Sequence, residues 1–575
     1  MKSLAAFPDT SDLSPANDAA PASLAIVGDQ LAEALADLGV TTLFGVISIH
    51  NMPILDAIAR QGRIRFVPAR GEAGAMNMAD AYARVTGGLG VIMSSTGTAA
   101  GNTAGGQVEA LTAGSRLLHI TSQVDTKFAD RDRAPIHDVP TQRKMLEGIS
   151  KAVFRIWDCH AAVGTLKAAV SAALSAPTGP VSLEIPVDVQ RAPISSTAKI
   201  GKPAVLKPRA DDAEIEALAA RILKAKRPMI WLGGGAKDAG IPATELVERG
   251  FGAVSSTNGR GVVAETHPAT LGAFNMGPDA IKLYQTCDLM VVVGSRLRGN
   301  ETKDNDMPLP PICQIDAEAS QGGRNYPVEM MIHGDAEDTL ARLLEMLPAK
   351  LDTDPNLPHE IAVVRATAEG QMRAMLGPYR TVADALQERV LPGRHPWVRD
   401  VTITNSTFGN RYVQIAEPRL GVHALGGGIG QGIAMGVGAA LASAEEPGSP
   451  KAITLVGDGG AMLGMAELIT AVDENAPLVY VLMNDSAYGV IQNIQDAQYD
   501  GRRHYSKIAV PNFAKLCDAV EMPHMKVDNI DAFAAALDEA IARPGPVVLE
   551  VDMVAIGPYA QQFAGPPAGA AGKAE

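Results

Sequence analysis

Two acidic residues that follow neighbouring predicted strands are the most informative feature of the sequence. Asp458 lies between Gly457 and Gly459 in "KAITLVGDGGAMLG", and Asp485 follows "PLVYVLMN", 485 − 458 = 27 positions later. Glycines leave backbone amides free to face a ligand, and a helix N-terminus beyond them favours a diphosphate. Two carboxylates and a backbone carbonyl beside a diphosphate form an oxygen cage suited to Mg²⁺ or Ca²⁺. The sequence therefore predicts that a diphosphate binds here together with a divalent metal ion.

These acidic residues can act together only if two strands deliver them to the same edge of a sheet. The apolar runs 451–456 and 477–483 are typical of buried strands, and "GMAELITAVDEN" (464–475) between them predicts a helix. A strand–helix–strand unit makes parallel strands, and α/β sheets bind ligands at the carboxyl ends of such strands. We therefore expect Asp458 and Asp485 to lie side by side.

The same alternation of helix and strand covers most of the chain. Apolar strands such as "TTLFGV", "LGVIMSS", "PMIWLGGG", "DLMVVVGSRL" and "GPVVLEVDM" are separated by helical patterns. This pattern predicts an α/β protein with three doubly wound parallel-sheet domains. We place these domains at 23–190, 205–347 and 365–555, joined by linkers at 191–210 and 349–360, with a disordered tail at 1–22 and a C-terminal tail at 556–575.

The first and third predicted domains resemble each other. In the first, a small-residue helix (71–88) leads to the strand "LGVIMSS" and the turn "TGTAAGN"; in the third, "GQGIAMGVGAALASA" (430–444) leads to "KAITLV" and "GDGGAMLG". Each glycine-rich turn would lie at the carboxyl end of a parallel strand, where ligands bind. The pattern indicates two related sheets with a third sheet inserted between them.

The bulk composition bounds the function. The chain has 575 residues, 20% charged and 46% hydrophobic, with a formal net charge of −14, which argues against a nucleic-acid or anionic-membrane surface. The leader 1–22 has no apolar core of a signal peptide, and the small-residue run 424–444 favours a tightly packed helix over a membrane span. The four cysteines, none in a CxxC pair, indicate a reducing compartment, and we expect a cytoplasmic protein; they are Cys159, Cys287, Cys313 and Cys517.

The segment from "GDG" to "NDSAYG" resembles the signature of thiamine-diphosphate-dependent enzymes, which is GDG followed after about two dozen residues by Asn-Asn. The superfamily includes acetolactate synthases, 2-oxo acid decarboxylases and benzaldehyde lyase, and the resemblance runs from about residue 24 to residue 553. It implies thiamine diphosphate and Mg²⁺ as cofactors, with Asp458, Asp485 and the carbonyl of Ala487 as metal ligands. Because Asp485 replaces the usual second asparagine, its added charge should change the metal affinity and its pH dependence. The residues implied around the cofactor are Gly457, Gly459, Gly460, Tyr488 and Gly489.

Two further residues follow from the same resemblance. The superfamily places a glutamate at the start of the small-residue helix of its first domain, where it tautomerises the aminopyrimidine, and "RGEAGAMNMADAYAR" supplies Glu72 there. The usual histidine before that glutamate is Gly71 here, so any role of that histidine is absent. The large side chain that wedges the cofactor into its V shape aligns with Ile429 in "GGGIGQGIAMG".

Residues on the substrate side are implied by shorter matches. "FGVISIHNMPILDA" (44–57) resembles the first loop of the superfamily, and the second histidine of the benzaldehyde lyase "HGAH" falls on His50. A histidine there could relay a proton to or from the substrate. The paired His-His of pyruvate decarboxylase has no match. "ITSQVDTK" (120–127) resembles the Gly-Gln-Val segment of acetolactate synthases and implies that Gln123 lies in the site.

Several reactions stay open at this point. We expect cleavage or formation of a C–C bond next to a carbonyl, as a lyase or carboligase on an acyloin, a 2-hydroxyacyl compound or a 2-oxo acid. The alternatives are an acetolactate synthase-type carboligase, a simple 2-oxo acid decarboxylase and, more distantly, a non-catalytic regulatory relative. A dehydrogenase based on Gly233–Gly235 is disfavoured, because "GGG" before Ala-Lys is not the dinucleotide fingerprint.

The middle domain and the assembly carry further expectations. "GSRLRGNET" departs from the flavin-binding segment of acetolactate synthases, so we do not predict FAD; Arg296 and Arg298 would face a phosphate of ADP or coenzyme A, or lie on the domain surface. The superfamily builds each site from two subunits, which implies a homodimer or homotetramer. We expect the Gly/Ala-rich helices 72–84 and 430–444 at the subunit interface.

Overall fold

In the computed structural model, residues 25–194 and 201–562 are described, and they form three parallel sheets. Within residues 25–194, the strands of the first sheet are Thr42–Gly45 (β1), Arg65–Pro68 (β2), Gly90–Ser94 (β3), Leu117–Gln123 (β4), Ala152–Arg155 (β5) and Val181–Pro186 (β6). Their order across the sheet is β2-β1-β3-β4-β6-β5. The helices of this domain are Val27–Asp37 (α1), Met52–Gln61 (α2), Glu72–Thr86 (α3), Thr98–Asn102 (α4), Ala104–Ala113 (α5), Gln142–Glu147 (α6), Ala162–Leu174 (α7) and Val187–Gln190 (α8).

The second sheet follows from residue 201 onward. Its described strands are Pro228–Leu232 (β7), Gly252–Ser255 (β8), Leu289–Val293 (β9), Ile312–Asp316 (β10) and Met330–His333 (β11), in the order β11-β10-β9-β7-β8. Its helices are Asp212–Ile222 (α9), Gly240–Glu248 (α10), Pro278–Tyr284 (α11), Ala336–Met346 (α12) and Leu357–Leu376 (α13). Apolar clusters cover both faces of this sheet, which is the doubly wound arrangement.

The third sheet completes the architecture. Its described strands are Trp397–Arg399 (β12), Gly421–His423 (β13), Ala452–Gly457 (β14), Leu478–Asn484 (β15), His524–Val527 (β16) and Pro546–Asp552 (β17), in the order β13-β12-β14-β15-β17-β16. Its helices are Arg380–Val390 (α14), Gly432–Ser443 (α15), Asp458–Gly464 (α16), Glu467–Asp473 (α17), Gly489–Gln498 (α18), Phe513–Ala519 (α19), Phe533–Ala542 (α20) and Met553–Ile556 (α21). Counted from its own first strand, this sheet has the same order as the first, 2-1-3-4-6-5. The predicted fold class and the internal resemblance are therefore confirmed.

Helices α3 and α15 pack against each other and join the first and third domains. Residues 75–84 of α3 and 432–443 of α15 are buried, and their apolar side chains belong to one continuous core. A methyl group on Gly438 would overlap the backbone carbonyl of Met78, so the two helices approach closely because this position has no side chain. The expectation that these two helices lie at a subunit interface is therefore wrong, since each is buried by the other within one chain.

Two segments between or beyond the domains are more ordered than the sequence indicated. The predicted linker 349–360 runs into α13, whose Leu357 and Ile361 pack on the second sheet and whose Leu376 packs on the third. The start of the predicted C-terminal tail is also packed, because the buried Tyr559 donates its hydroxyl to Oγ1 of Thr404 at 3.0 Å. The predicted tail 1–22, residues 195–200 of the first linker and residues 563–575 lie outside the described residues.

No helix in the described part of the chain has the length and apolar character needed to cross a membrane.

Replacing Gly438 by alanine should destabilise the contact between α3 and α15. Overpacking of this kind costs about 1–3 kcal/mol, because the added methyl group would press on the carbonyl of Met78. The matched control is Gly370→Ala in the exposed part of α13, where the added methyl group meets no neighbour and should stabilise the helix by about 0.5–1 kcal/mol. Thermal unfolding checks this, and a Gly438→Ala variant as stable as Gly370→Ala would contradict the packing described.

Candidate active site

The candidate site lies at the point where the strand order of the third sheet reverses. The reversal is between β12 and β14, and the segments that leave these strands diverge there and open a crevice. Asp400 follows β12 directly, and Asp458 follows β14 directly. The sequence predicted an exit turn at 457–459, but α16 begins at Asp458 itself, because Gly457 is extended and acts as the N-cap.

Asp458 and Asp485 lie side by side, as the strand spacing predicted. Strands β14 and β15 pair in parallel with Gly457 opposite Met483, so that both carboxylates emerge at the same edge. Asp458 is 1% exposed, and among the described residues its Oδ2 is buried without a hydrogen-bond partner. Burial and the neighbouring Asp458 carboxylate raise the pKa of Asp485 to about 7. Burial also raises the pKa of Asp458. Two adjacent carboxylates that are largely shielded from water are suited to bind a cation.

The segment after β15 turns sharply next to Asp485. Ser486 has a left-handed conformation (φ 54°), and Ala487 forms a bridge to Lys507. The N–H of Tyr488 donates to the carbonyl of Ser506 at 2.8 Å, and Gly489 begins α18. No three His, Cys, Asp or Glu side chains converge in the described residues, so a metal ion here would take the two aspartates and draw on backbone and ligand oxygens.

The glycine-rich loop 426–430, which carries Ile429, is held beside this crevice through Asp400. Ile429 is 41% exposed, which is unusual for an isoleucine next to a buried helix. Two buried carboxylates hold the ends of the loop: Glu109 of α5 accepts from the N–H groups of residues 425–426 at 2.7 and 2.6 Å, and Asp400 accepts from Gly430 at 3.1 Å. The sequence identified Ile429 but neither carboxylate.

Glu72 lies at the first position of α3 and is half-buried. Its Oε2 accepts a hydrogen bond of 3.1 Å from Nδ2 of Asn102, at the end of α4. The two aspartates thus lie together in the third domain, and Glu72 lies in the first.

His50 contacts a second histidine that the sequence did not indicate. His50 is 7% exposed, and the rings of His50 and His137 meet edge to face with their centroids 5.2 Å apart. The Nδ1 of His50 is buried without a partner in the described part of the chain. Burial and the nearby His137 lower the pKa of His50 from its ordinary 6.5, while Asp125 opposes the shift. His50 is therefore neutral at pH 7 and can accept a proton.

Gln123 is placed differently from what its predicted role requires. Its side chain is 1% exposed, its Oε1 accepts from the N–H of Val124 at 2.8 Å, and its Nε2 donates to Glu184 at 3.3 Å. Gln142 donates to the same glutamate at 3.0 Å and accepts from Gly97. Both polar atoms of the Gln123 amide are thus bonded to groups of the protein itself.

A separate cavity of about 720 Å³ lies where the first and second domains meet. Its lining includes the glycines after β7 and the segment after β9, at the point where the order of the second sheet reverses. Arg296 and Arg298 both line it, and the other cations along its wall are Arg84, Arg116, Lys151, Lys207, Lys237 and Arg419. Carboxylates line the same wall and pair with several of these cations, as Asp238 does with Arg116 and Glu337 with Lys207, so a phosphate of a nucleotide or of coenzyme A here stays a prediction.

Comparison with known proteins matches all three domains. Residues 26–147 match the N-terminal TPP binding domain of thiamine pyrophosphate enzymes, residues 215–343 their central domain and residues 402–551 their C-terminal TPP binding domain. The chain is also 30% identical over 483 residues to a probable 2-ketoarginine decarboxylase of Pseudomonas aeruginosa, covering 82% of this chain and 84% of that protein. The chain belongs to the thiamine pyrophosphate enzymes.

Other relatives of this thiamine pyrophosphate enzyme are named as acetolactate synthases, to which the chain has lower identity. It is 26% identical to the large subunit of acetolactate synthase isozyme 1 of Escherichia coli, over 90% of this chain and 92% of that protein. It is also 26% identical to the acetolactate synthase large subunit of Corynebacterium glutamicum, over 89% of this chain and 84% of that protein. Glu72 falls in the matched N-terminal TPP binding domain, and the two aspartates fall in the C-terminal one.

Replacing His137 by alanine should raise the pKa of His50 in this enzyme. The change removes a neighbour that disfavours protonation of His50, and it admits water, and both effects raise the pKa of His50. Carbon-13 NMR titration of labelled histidines measures this, with His50→Ala to assign the resonance and the exposed His160→Ala as the control. A pKa of His50 that stays unchanged or falls would show that the two rings do not interact in solution.

Proposed function

We propose that this enzyme uses thiamine diphosphate and Mg²⁺ to break or form a C–C bond next to the carbonyl of a 2-oxo acid. The observation that carries the proposal is the pair of adjacent aspartates at the ends of β14 and β15, of which Asp458 is buried and has an Oδ2 without a partner in the described residues. A buried carboxylate oxygen without a donor is costly, and a cation would offset that cost.

The metal would be held by Asp458, Asp485 and the carbonyl of Ala487, with diphosphate oxygens completing its coordination. Gly457, Gly459 and Gly460 start α16 beside Asp458, and Tyr488 and Gly489 start α18 beside Asp485. Thiamine diphosphate would supply a carbon nucleophile that also stores the electron pair of the cleaved bond. The exposed side chain of Ile429 would support the cofactor from below.

Glu72 would exchange a proton with the aminopyrimidine ring of the cofactor. Its position at the first residue of α3 and its one partner, Asn102, leave the second carboxylate oxygen free for that contact. His50 would serve the substrate side: its neutral imidazole, with an unpartnered Nδ1, can accept and return the proton of a substrate hydroxyl. The side chain of Gln123 bonds to Val124 and Glu184, and we propose no substrate contact for it.

A 2-oxo acid is the substrate class that the relatives favour. One is named as a probable decarboxylase of 2-ketoarginine, which is a 2-oxo acid, and others are named as acetolactate synthases. Decarboxylation and carboligation share the cleavage step and differ in what captures the product, so we propose a 2-oxo acid decarboxylase or an acetolactate synthase-like carboligase. A lyase acting on an acyloin or a 2-hydroxyacyl compound is the alternative that His50 supports.

A homodimer, or a tetramer of dimers, would complete each site. The proposal rests on the resemblance to the superfamily, which builds each site from two subunits, and on exposed apolar side chains of this chain. Apolar side chains exposed on α5 and on the segment of α16 and α17 would be covered by the partner subunit: they are Val108, Leu111, Leu463, Met465 and Ile469. Such exposed apolar side chains on two neighbouring elements are typical of an association surface. A cytoplasmic location stays a prediction from the reduced cysteines.

Mixing two inactive variants tests this proposal. Glu72→Gln and Asp458→Ala should each abolish turnover of a panel of 2-oxo acids, because each removes one half of every site. After co-refolding or co-expression, mixed dimers should regain about a quarter of the wild-type activity, since one site in half of the dimers is intact. The matched control is Glu72→Gln mixed with itself. No recovery in the mixture would place both residues in one subunit's site, and full activity of either variant alone would refute the assignment.

Replacing Asp485 by asparagine should flatten the pH dependence of metal binding. Because the pKa of Asp485 is about 7, its proton must leave before Mg²⁺ binds, so the wild-type affinity should fall as the pH falls from 8 to 6. An asparagine has no such proton. Calorimetric titration of Mg²⁺ in the presence of thiamine diphosphate measures this, with the exposed Asp352→Asn as the control. Equal pH slopes in the wild type and Asp485→Asn would contradict the role of Asp485 as a ligand.

A further inference from the structure

A buried carboxylate from the third domain binds the backbone that leads into the helix beginning with Glu72. Glu467, the first residue of α17, is 4% exposed. Its two oxygens accept from the N–H of Arg70 at 3.1 and 3.2 Å, and the N–H of Gly71 donates to the same carboxylate. The hydroxyl of Thr470 donates to Oε2 at 2.6 Å. The charge of Glu467 is thus compensated by backbone N–H groups and a hydroxyl.

The start of helix α3 has no side-chain cap of its own. Its N-cap is Gly71, which has no side chain to hold the start of the helix in place, so the backbone contacts of Glu467 just before the helix fix where it begins. A carboxylate at that end also interacts favourably with the helix dipole. The fit is close, because a methyl group on Gly74 would overlap the Glu467 carboxylate.

We propose that Glu467 is a positioning residue, which fixes the first turn of α3 and thereby the carboxylate of Glu72. The inference rests on the proposed role of Glu72. The carboxylate of Glu72 has a single partner in the described residues, the amide of Asn102, so its position depends on where its helix begins. Glu467 controls that start from another domain, and α17 follows α16, whose first residue is Asp458.

A neighbouring ion pair provides a control, because it also joins the first and third domains but does not bind the backbone at the start of α3. The guanidinium of Arg70 pairs with Asp473, also on α17, and that aspartate is 53% exposed. This pair joins the same two elements, but it holds a side chain and leaves the start of α3 untouched. Exposed pairs contribute little to stability, so Asp473→Asn is a matched control that removes one carboxylate charge from the same surface.

The test compares Glu467→Ala, Glu467→Gln and Asp473→Asn with the wild type in two measurements. The first is amide hydrogen exchange of residues 70–74 in the cofactor-free protein. The second is exchange of the cofactor's C2 proton with deuterium at saturating thiamine diphosphate and Mg²⁺, before any substrate is added. Glu72→Gln is the reference for complete loss of the proton partner.

Glu467→Ala should speed amide exchange at the start of α3 and slow C2 exchange about 10-fold or more, because a small displacement of a catalytic group can cost about 100-fold. Glu467→Gln keeps one acceptor oxygen and should fall in between, and it decides the matter if the alanine variant does not fold. Asp473→Asn should leave both measurements unchanged. Normal C2 exchange in both Glu467 variants, with slow exchange in Glu72→Gln, would overturn this inference alone; normal exchange in Glu72→Gln would overturn the proposed function.

Discussion

The close contact between α3 and α15 is the constraint on which the rest of the structure depends. It holds the first and third domains together, and it requires small residues because the backbone at Gly438 approaches the carbonyl of Met78 directly. Each helix begins at or shortly after a residue proposed to face the cofactor. Helix α3 starts with Glu72, and α15 follows the loop that carries Ile429. A shift of one helix along the other would therefore displace a proposed cofactor contact.

A buried charged network reinforces that contact. Arg84 of α3 pairs with Asp80 at 2.5 Å and with Glu109 at 2.9 Å, and it donates to the carbonyl of His423 at 2.7 Å. Buried charges stabilise a fold only when their partners are well placed, and removing one partner is costly. Because Glu109 also binds the backbone of the 426–430 loop, the same network that joins the helices fixes the base of the loop that carries Ile429.

The parts of the site that depend on local pattern could be predicted from the sequence. The strand–helix–strand spacing placed Asp458 and Asp485 together because the carboxyl ends of adjacent parallel strands meet at one edge. The contact of His50 with His137 could not be predicted, since it joins loops 137 − 50 = 87 positions apart. The burial of Gln123 depends on Glu184 and Gln142, which come from other elements. The prediction that α3 and α15 lie at a subunit interface was wrong for the same reason. Small residues indicate close packing, but they do not identify the element that packs against them.

The first and third domains, which are proposed to hold the cofactor, are thus joined by a continuous series of contacts. Asp458 starts α16, α17 follows it, and Glu467 of α17 holds the start of α3, where Glu72 lies. In the proposed dimer, Glu72 and Asp458 of one chain serve different sites. Two short helices and one buried carboxylate therefore connect a residue proposed to serve one site with a residue proposed to serve the other, within one chain.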